Sequence, residues 1–381
     1  MTTPIARTRW HRSKFVRCYD RSNMALSRRV FLSFPAACYA QTVGKGRVFG
    51  ASVTRYADPA TEFPVSRLTN PEYTSFLPAY PNRTIARNGS FLLYASDLTG
   101  RFEAFRLDLK SGQSKQLTDA AQLDPHSLVL LPDERGFCYI DEGRLVSANL
   151  SNLRARTIGA AENICALNVA DDGLYAAVIQ QEKSHYRLIL VQMVSGAVTT
   201  LAESEEELRD PVPRPRRASV LYYQGATVKL ANYDGQQNYR LRLADGESGP
   251  AAWSPDGRSI LYLDYPPDPK KQNNIREFTP DTNEDKLVSN TSQFVQFARN
   301  SDASVFIGAS GSKASPYVLL LVRAVKREFT IAEHRASDAR MVAPRFAPNS
   351  QRVYFASDRH GKPAIYSMTV DKLVTETEGS N

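Results

Sequence analysis

Imidazoles are the groups from which metal or proton-transfer chemistry would most readily be built, and this chain has five: His11, His126, His185, His334 and His360. They are scattered over different segments with no His-x-His pair, and one imidazole does not make a transition-metal cage. His360 lies in Asp358-Arg-His-Gly361, a turn sequence in which a His is ordinarily solvated. His126, in Asp124-Pro-His-Ser127 ahead of an apolar run, is the other imidazole that a loop could present to a site. Gly44-Lys-Gly46 lacks the spacing of a phosphate loop, Asn232-Tyr-Asp-Gly235 has too few carboxylates for a calcium loop, and no Gly-x-Ser-x-Gly occurs. Of the four cysteines, Cys138 and Cys165 lie in or beside apolar segments, as small buried hydrophobes do. Their separation permits a disulfide without requiring one, and two cysteines without nearby histidines do not make a zinc site.

The elements that would have to position any site are short and repeated. Trp253-Ser-Pro-Asp-Gly-Arg-Ser-Ile-Leu-Tyr-Leu-Asp264 reads as a turn followed by a strand. Variants centred on Tyr94, Tyr139, Tyr175, Tyr222, Phe306 and Tyr354 make seven copies, with spacings between 36 and 48 residues by subtraction. A period of roughly 40 to 50 residues with several short strands per repeat is the signature of propeller blades. A β-sandwich would explain the short strands but not the seven copies. The expected fold is therefore all-β: a seven-bladed propeller of four-stranded antiparallel blades.

A ring of small sheets accommodates 381 residues as one domain. The net charge of +8 is concentrated in residues 1–40, where Arg7, Arg9, Arg12, Lys14, Arg17, Arg21, Arg28 and Arg29 face Asp20 alone. The remainder holds 40 basic and 39 acidic residues, so a nucleic-acid partner loses its main support. Ser27-Arg-Arg-Val-Phe-Leu32 followed by Ser33-Phe-Pro-Ala-Ala-Cys-Tyr-Ala40 resembles a twin-arginine export signal, with Ala40 as cleavage position and Met24 as a possible true start. This places the mature protein in the periplasm or outside the cell. No run approaches the ~20 apolar residues of a membrane-spanning helix. The expected division is an export signal at 1–40, a leader to the ring at 41–61, the propeller at 62–373 and a tail at 374–381.

Glu62-Phe-Pro-Val-Ser-Arg-Leu-Thr-Asn70 resembles Lys115-Gln-Leu-Thr118, an outer strand, while the last repeat is short of strands. Residues 62–69 are therefore expected to complete the last blade and close the ring, which leaves fewer unpaired edges. The acidic run Glu203 to Glu207 and the Pro- and Arg-rich Asp210 to Arg217 read as a linker between blades 3 and 4. Tyr265-Pro-Pro-Asp-Pro-Lys-Lys271 reads as an exposed hairpin loop inside blade 5.

Arg345-Phe-Ala-Pro-Asn-Ser-Gln-Arg-Val-Tyr-Phe-Ala-Ser-Asp-Arg-His-Gly-Lys-Pro-Ala-Ile-Tyr366 resembles the final blade of the oligogalacturonate lyases. Tyr94 to Thr118 is similar to that family's first blade and Ala251 to Gly257 to its fifth; TolB-like propellers share the Ser-Pro-Asp-Gly turn and are a weaker likeness. The resemblance implies cleavage of unsaturated pectin oligosaccharides by β-elimination. In that chemistry a divalent metal, usually manganese, binds the uronate carboxylate, a His takes the C5 proton and an Arg steadies the developing charge.

The chain departs from the family where that chemistry resides. A Gln-x-x-His-Pro-His arrangement is replaced here by Asp338-Ala-Arg-Met-Val-Ala343. The blade 6 His falls near Gln296, the general-base His near Pro250 and the blade 4 Arg near Thr227. No metal site, no cofactor and no assignable catalytic residue is expected, and whether the chain is an enzyme stays open. Arg340 and Arg345 flank the lost ligands, and with Lys229 and Gln296 they are the candidates for binding an acidic sugar directly. Ordinary surface ion pairing is the alternative for these arginines. Two functions follow: a divergent lyase-like protein that acts on or binds uronate oligosaccharides, or an exported TolB-like scaffold that binds another protein.

Overall fold

The computed structural model describes residues 44–371 other than Ala79 and Pro269. The export signal read over 1–40 and the tail read over 374–381 lie outside the described residues.

Seven antiparallel sheets follow one another along the chain, each beginning with a strand that becomes the first of its sheet. Five of these first strands are Ile164–Val169, Leu208–Pro213, Glu247–Trp253, Phe294–Arg299 and Arg345–Phe346, in blades 3 to 7. Ser75–Phe76 and Val129–Leu130 are those of blades 1 and 2. The first strands of blades 2 and 3, 3 and 4, 5 and 6, and 6 and 7 contact one another, as innermost strands around a central axis do. The aromatic markers Tyr94, Tyr139, Tyr175, Tyr222, Tyr262, Phe306 and Tyr354 all fall in second strands, whose residues are mostly buried on both faces. A strand between two neighbours and between two blades has no solvent face, so it reads as an apolar run rather than an alternation.

The core is accordingly divided into clusters at the seams between blades. One joins blades 6 and 7 through Ile307, Leu320, Ile331, Phe355 and Tyr366, and another joins blades 1 and 2 through Leu93, Leu117, Leu128, Phe137 and Tyr139. The repeated turn is fixed at one copy by backbone approach: Gly257 has φ +69, and a Cβ there would come within 2.2 Å of the Pro215 carbonyl oxygen. Arg214 on the neighbouring blade donates from Nε to the Gly257 carbonyl at 2.7 Å, grips Asp281 through both Nη atoms and lies over the Trp253 ring.

Blade 7 takes strands from both ends of the described chain. Pro64–Arg67 pairs antiparallel with Ala364–Thr369, in the register Val65 to Met368, and Thr54–Ala57 adds beyond it. Val48–Phe49 adds a fifth strand to blade 1 against Ser114–Gln116. The stretch expected as a leader at 41–61 thus contains two strands, each covering an outer sheet edge that would otherwise present unpaired backbone groups.

The linker reading of Asp210 to Arg217 is corrected. Leu208–Pro213 is the innermost strand of blade 4, bulged between Arg209 and Val212 with Asp210 at φ 51. Proline is tolerated there because an innermost strand is a sheet edge, and its missing N–H faces no ladder partner at a bulge. The Pro-rich stretch after Tyr265 does connect two strands of blade 5, Ile260–Tyr265 and Asn273–Thr279.

Candidate functional site

The candidate positions in blade 7 lie on a short 3-10 turn, Ala339–Val342, that leads into the innermost strand. Asp338 caps it by accepting from the Arg340 backbone N–H at 2.9 Å. The same carboxylate holds the Arg340 side chain, at 3.1 and 3.2 Å from Nε and 2.8 Å from Nη2. This pairing keeps the Asp338 carboxyl below the ordinary carboxylate range and raises the Arg340 guanidinium. Arg340 nevertheless stays exposed. Where the resemblance places two imidazoles, the chain has Met341 and Ala343, the latter in left-handed backbone geometry at φ 41.

Arg345 is in a different environment. It is 4 % exposed, and its donors go to backbone and hydroxyl oxygens of one segment. Nη1 reaches Thr84 Oγ1 at 2.8 Å and the Asn82 carbonyl at 3.4 Å, and Nη2 reaches the Pro78 carbonyl at 2.5 Å. Nε has no hydrogen-bond partner among the described residues. Burial pushes its pKa down to about 10, as expected for a cation surrounded by neutral acceptors. The segment it grips reaches further. Asn82 Nδ2 donates to the Leu128 carbonyl, the Leu130 N–H donates to the Arg83 carbonyl, and Arg83 lies 3.9 Å from Asp171. Pro78, Asn82, Arg83 and Thr84 of blade 1 therefore connect blades 7, 2 and 3, with Arg345 as the blade 7 anchor.

Gln296 lies on the innermost strand of blade 6, beside a bulge and paired with Ala309, and is half-buried. Lys229 is on the third strand of blade 4, Thr227–Asn232, where Nζ donates to Gln224 Oε1 at 3.0 Å. The four sequence candidates are thus not one cluster. Arg340 and Gln296 belong to innermost-strand surroundings, Arg345 is turned into the wall, and Lys229 sits two strands outward.

The histidines separate equally clearly. His334 is buried, with Nε2 3.1 Å from the Ser310 carbonyl and Nδ1 accepting the Ala336 N–H at 3.0 Å. His360 is tied through Nδ1 to Tyr366 Oη at 2.9 Å, and His185 faces Glu205 at 3.1 Å. His126 is exposed, yet its ring is 4.8 Å from that of Phe76 on the innermost strand of blade 1. Cys138 is buried and Cys165 half-buried, and no disulfide joins them. Burial pushes the Cys138 thiol up to about 12, so it is not a reactive nucleophile. Among the described residues no group of three or more His, Cys, Asp or Glu is placed to hold a metal ion, and no helix is long and apolar enough to cross a membrane.

Sequence reading missed the role of residues 78–84 and the ring contact of His126. The only signal was the length of chain between Phe76 and the next strand at Phe91, longer than the repeated turn requires.

Known proteins agree with this architecture. The family model described as oligogalacturonate lyase matches residues 43–165. An oligogalacturonide lyase of Pectobacterium atrosepticum is 26% identical over 387 aligned residues, covering 87% of this chain and 100% of the relative. An oligogalacturonate lyase of Dickeya dadantii is 24% identical, with 87% and 100% covered. A solved oligogalacturonate lyase in complex with manganese superposes with a TM-score of 0.80 at 23% identity, covering 86% of this chain and 98% of that one. That of Vibrio parahaemolyticus gives 0.78 at 23% identity with the same coverage. The chain is a seven-bladed propeller similar in sequence and in fold to these oligogalacturonate lyases.

Proposed function

We propose that this propeller binds uronate oligosaccharides at the blade 7 end of its innermost strands, without the metal-assisted elimination that the resemblance implies. The observation that carries the proposal is the donor set at that end. At the positions where the resemblance places metal ligands, Gln296 and Asp338 carry side-chain oxygens, and the Asp338 carboxylate is already bound by Arg340. Met341 and Ala343 stand where imidazoles would be needed. A soft thioether, one amide and a carboxylate already paired with Arg340 do not fit manganese.

What these residues can do is hold an anion. Arg340 offers an exposed guanidinium whose fork geometry suits a carboxylate, and Asp338 orients it. Gln296 supplies an amide able to donate to a sugar hydroxyl. Arg345 contributes by fixing the wall rather than by touching ligand, and Lys229 is left to its contact with Gln224.

The test is calorimetry of the purified protein with unsaturated digalacturonate, with and without manganese, while product is followed by absorbance. Binding heat with neither turnover nor a manganese effect is the expected result. Manganese-dependent turnover would overturn the loss of elimination. Absence of heat would overturn uronate binding and favour a scaffold for another protein.

The twin-arginine-like sequence within residues 1–40 supports a periplasmic or secreted location. Replacing Arg28 and Arg29 with Lys is expected to leave the protein in the cytoplasm; export of that double variant at the normal level would sink the reading.

A further inference from the structure

Three aromatic rings from three separate segments meet at the seam of blades 1 and 2. Phe76 comes from the innermost strand of blade 1, Phe102 from the hairpin between Phe91–Ser96 and Glu103–Asp108, and His126 from the loop that enters blade 2. Phe76 lies between the other two, with ring centroids 5.7 Å from Phe102 and 4.8 Å from His126 and interplanar angles of 33° and 45°. Phe76 and Phe102 are half-buried and His126 is exposed. Each segment is held independently. Phe102 packs on the seam cluster that contains Leu117 and Leu128. His126 has its backbone N–H on Asp124 Oδ1 at 2.9 Å, with the Leu77 carbonyl and the Asp124 carboxylate beside its imidazole.

A cation is tied to the segment that carries Phe76. The Asp97 carboxylate accepts the Thr74 N–H at 2.6 Å, two residues before Phe76, and its other oxygen lies 3.6 Å from Lys362 Nζ. Lys362 belongs to the blade 7 hairpin, is 55 % exposed, and is positioned by its backbone N–H on the Pro71 carbonyl at 2.9 Å. That separation from Asp97 is a loose pair, which leaves the ammonium able to take a second anion. Arg101, beside Phe102, is by contrast fully engaged with Glu103 and Asp119.

A uronate is a ring with an apolar C–H face, hydroxyls on its edge and a single carboxylate. Rigid aromatic rings provide contact area to such a face at small entropic cost, and a few polar groups then set its orientation. We propose that Phe76, Phe102 and His126 form a sugar-stacking subsite for one residue of an acidic oligosaccharide, with Lys362 receiving its carboxylate and the imidazole donating to a ring hydroxyl. This rests on the uronate-binding reading and adds to it a place for a second sugar unit, at the seam of blades 1 and 2.

The test uses the full chain and unsaturated digalacturonate as probe. His126→Gln and Lys362→Gln are each expected to weaken binding about tenfold, and Phe102→Ala at least as much. Because Phe102 also packs in the seam, a second measurement is made on the unmutated protein. The imidazole signals of the five histidines are followed by NMR during the titration, with His126 assigned from the His126→Gln spectrum. A saturable shift of the His126 signal at the calorimetric affinity supports the subsite. Normal affinity in His126→Gln and Lys362→Gln, with a stationary His126 signal, overturns the subsite while uronate binding stands. No heat and no shift in the unmutated protein overturns both.

Discussion

Asp58 and Arg359 form a buried ion pair, with side chains 0 % and 5 % exposed and Oδ2 3.4 Å from Nη1, that ties the incoming chain to the last blade. Neither charge relies on the other alone. Asp58 also accepts from the Glu333 N–H at 3.1 Å and the Ala60 N–H at 3.1 Å, and Arg359 donates to the Glu333 carbonyl at 2.6 Å and lies over the Tyr56 ring. One carboxylate thereby joins the N-terminal strands, the outer strand of blade 6 and the hairpin of blade 7. This is the geometry in which desolvation of a charge pair is offset by further hydrogen bonds.

Removing one partner leaves the other charge buried without compensation. Asp58→Ala is expected to cost about 3–5 kcal/mol and to lower Tm by on the order of 10 °C. Differential scanning calorimetry measures it, and an unchanged Tm would show that ring closure does not depend on this pair.

Arg345 leads to a second stability prediction. With its guanidinium buried on the oxygens of Pro78, Asn82 and Thr84, Arg345→Ala removes the donors and leaves those acceptors in the wall. The expected loss is about 2–5 kcal/mol in thermal or urea unfolding. Arg345→Lys should recover only part of it, because an ammonium cannot span the same acceptors as a planar fork. A variant that melts like the unmutated protein but binds sugar poorly would instead assign Arg345 to ligand contact.

The contrast between these residues shows what the sequence makes legible. Strand identity was written in the recurrent aromatics, since a residue such as Tyr262 or Tyr354 sits in a two-sided environment that only an apolar run can fill. The closing strand was legible for a related reason: Val65 alternates with exposed and half-buried neighbours as an outer strand does. Proline misled at Leu208–Pro213, because its effect depends on whether the N–H has a partner, which is set by tertiary position. The direction of the Arg345 side chain was not legible, because it is decided by residues 78–84, which lie more than 260 positions away. Likewise, nothing local to His126 announces Phe76 as its ring partner.

Acid should weaken the blade 6 and 7 seam through His334. Burial, reinforced by the charge of Arg359, lowers its pKa below the ordinary histidine value, although the contact with the Ser310 carbonyl works in the opposite direction. The neutral ring is the one that fits, since Nδ1 accepts the Ala336 N–H while Nε2 donates to Ser310. A folded-state pKa below the unfolded one means that this contribution is complete above about pH 6.5 and is lost as pH falls through the lowered value. Stability measured by urea unfolding should therefore decline below that point more steeply in the unmutated protein than in His334→Gln. Parallel pH profiles for the two proteins would remove His334 from the account.

Binding at the blade 7 end should depend on salt and on Arg340. An exposed guanidinium paired with Asp338 in the absence of ligand must share or exchange that partner when a uronate carboxylate arrives, so the net gain is smaller than for an unpaired cation. Arg340→Ala is expected to weaken unsaturated digalacturonate by about three- to tenfold, equivalent to roughly 0.7–1.4 kcal/mol. Asp338→Asn should act in the opposite direction, because it releases the guanidinium from a competing anion while preserving a side-chain acceptor for the turn. Raising the ionic strength should reduce the difference between Arg340→Ala and the unmutated protein, since the contact is solvent-exposed and screened. Calorimetric titrations of the three proteins at low and moderate salt decide the matter. Equal affinities for all three would place uronate recognition elsewhere on the propeller, and tighter binding by Asp338→Asn alone would identify the pair as a brake on ligand capture.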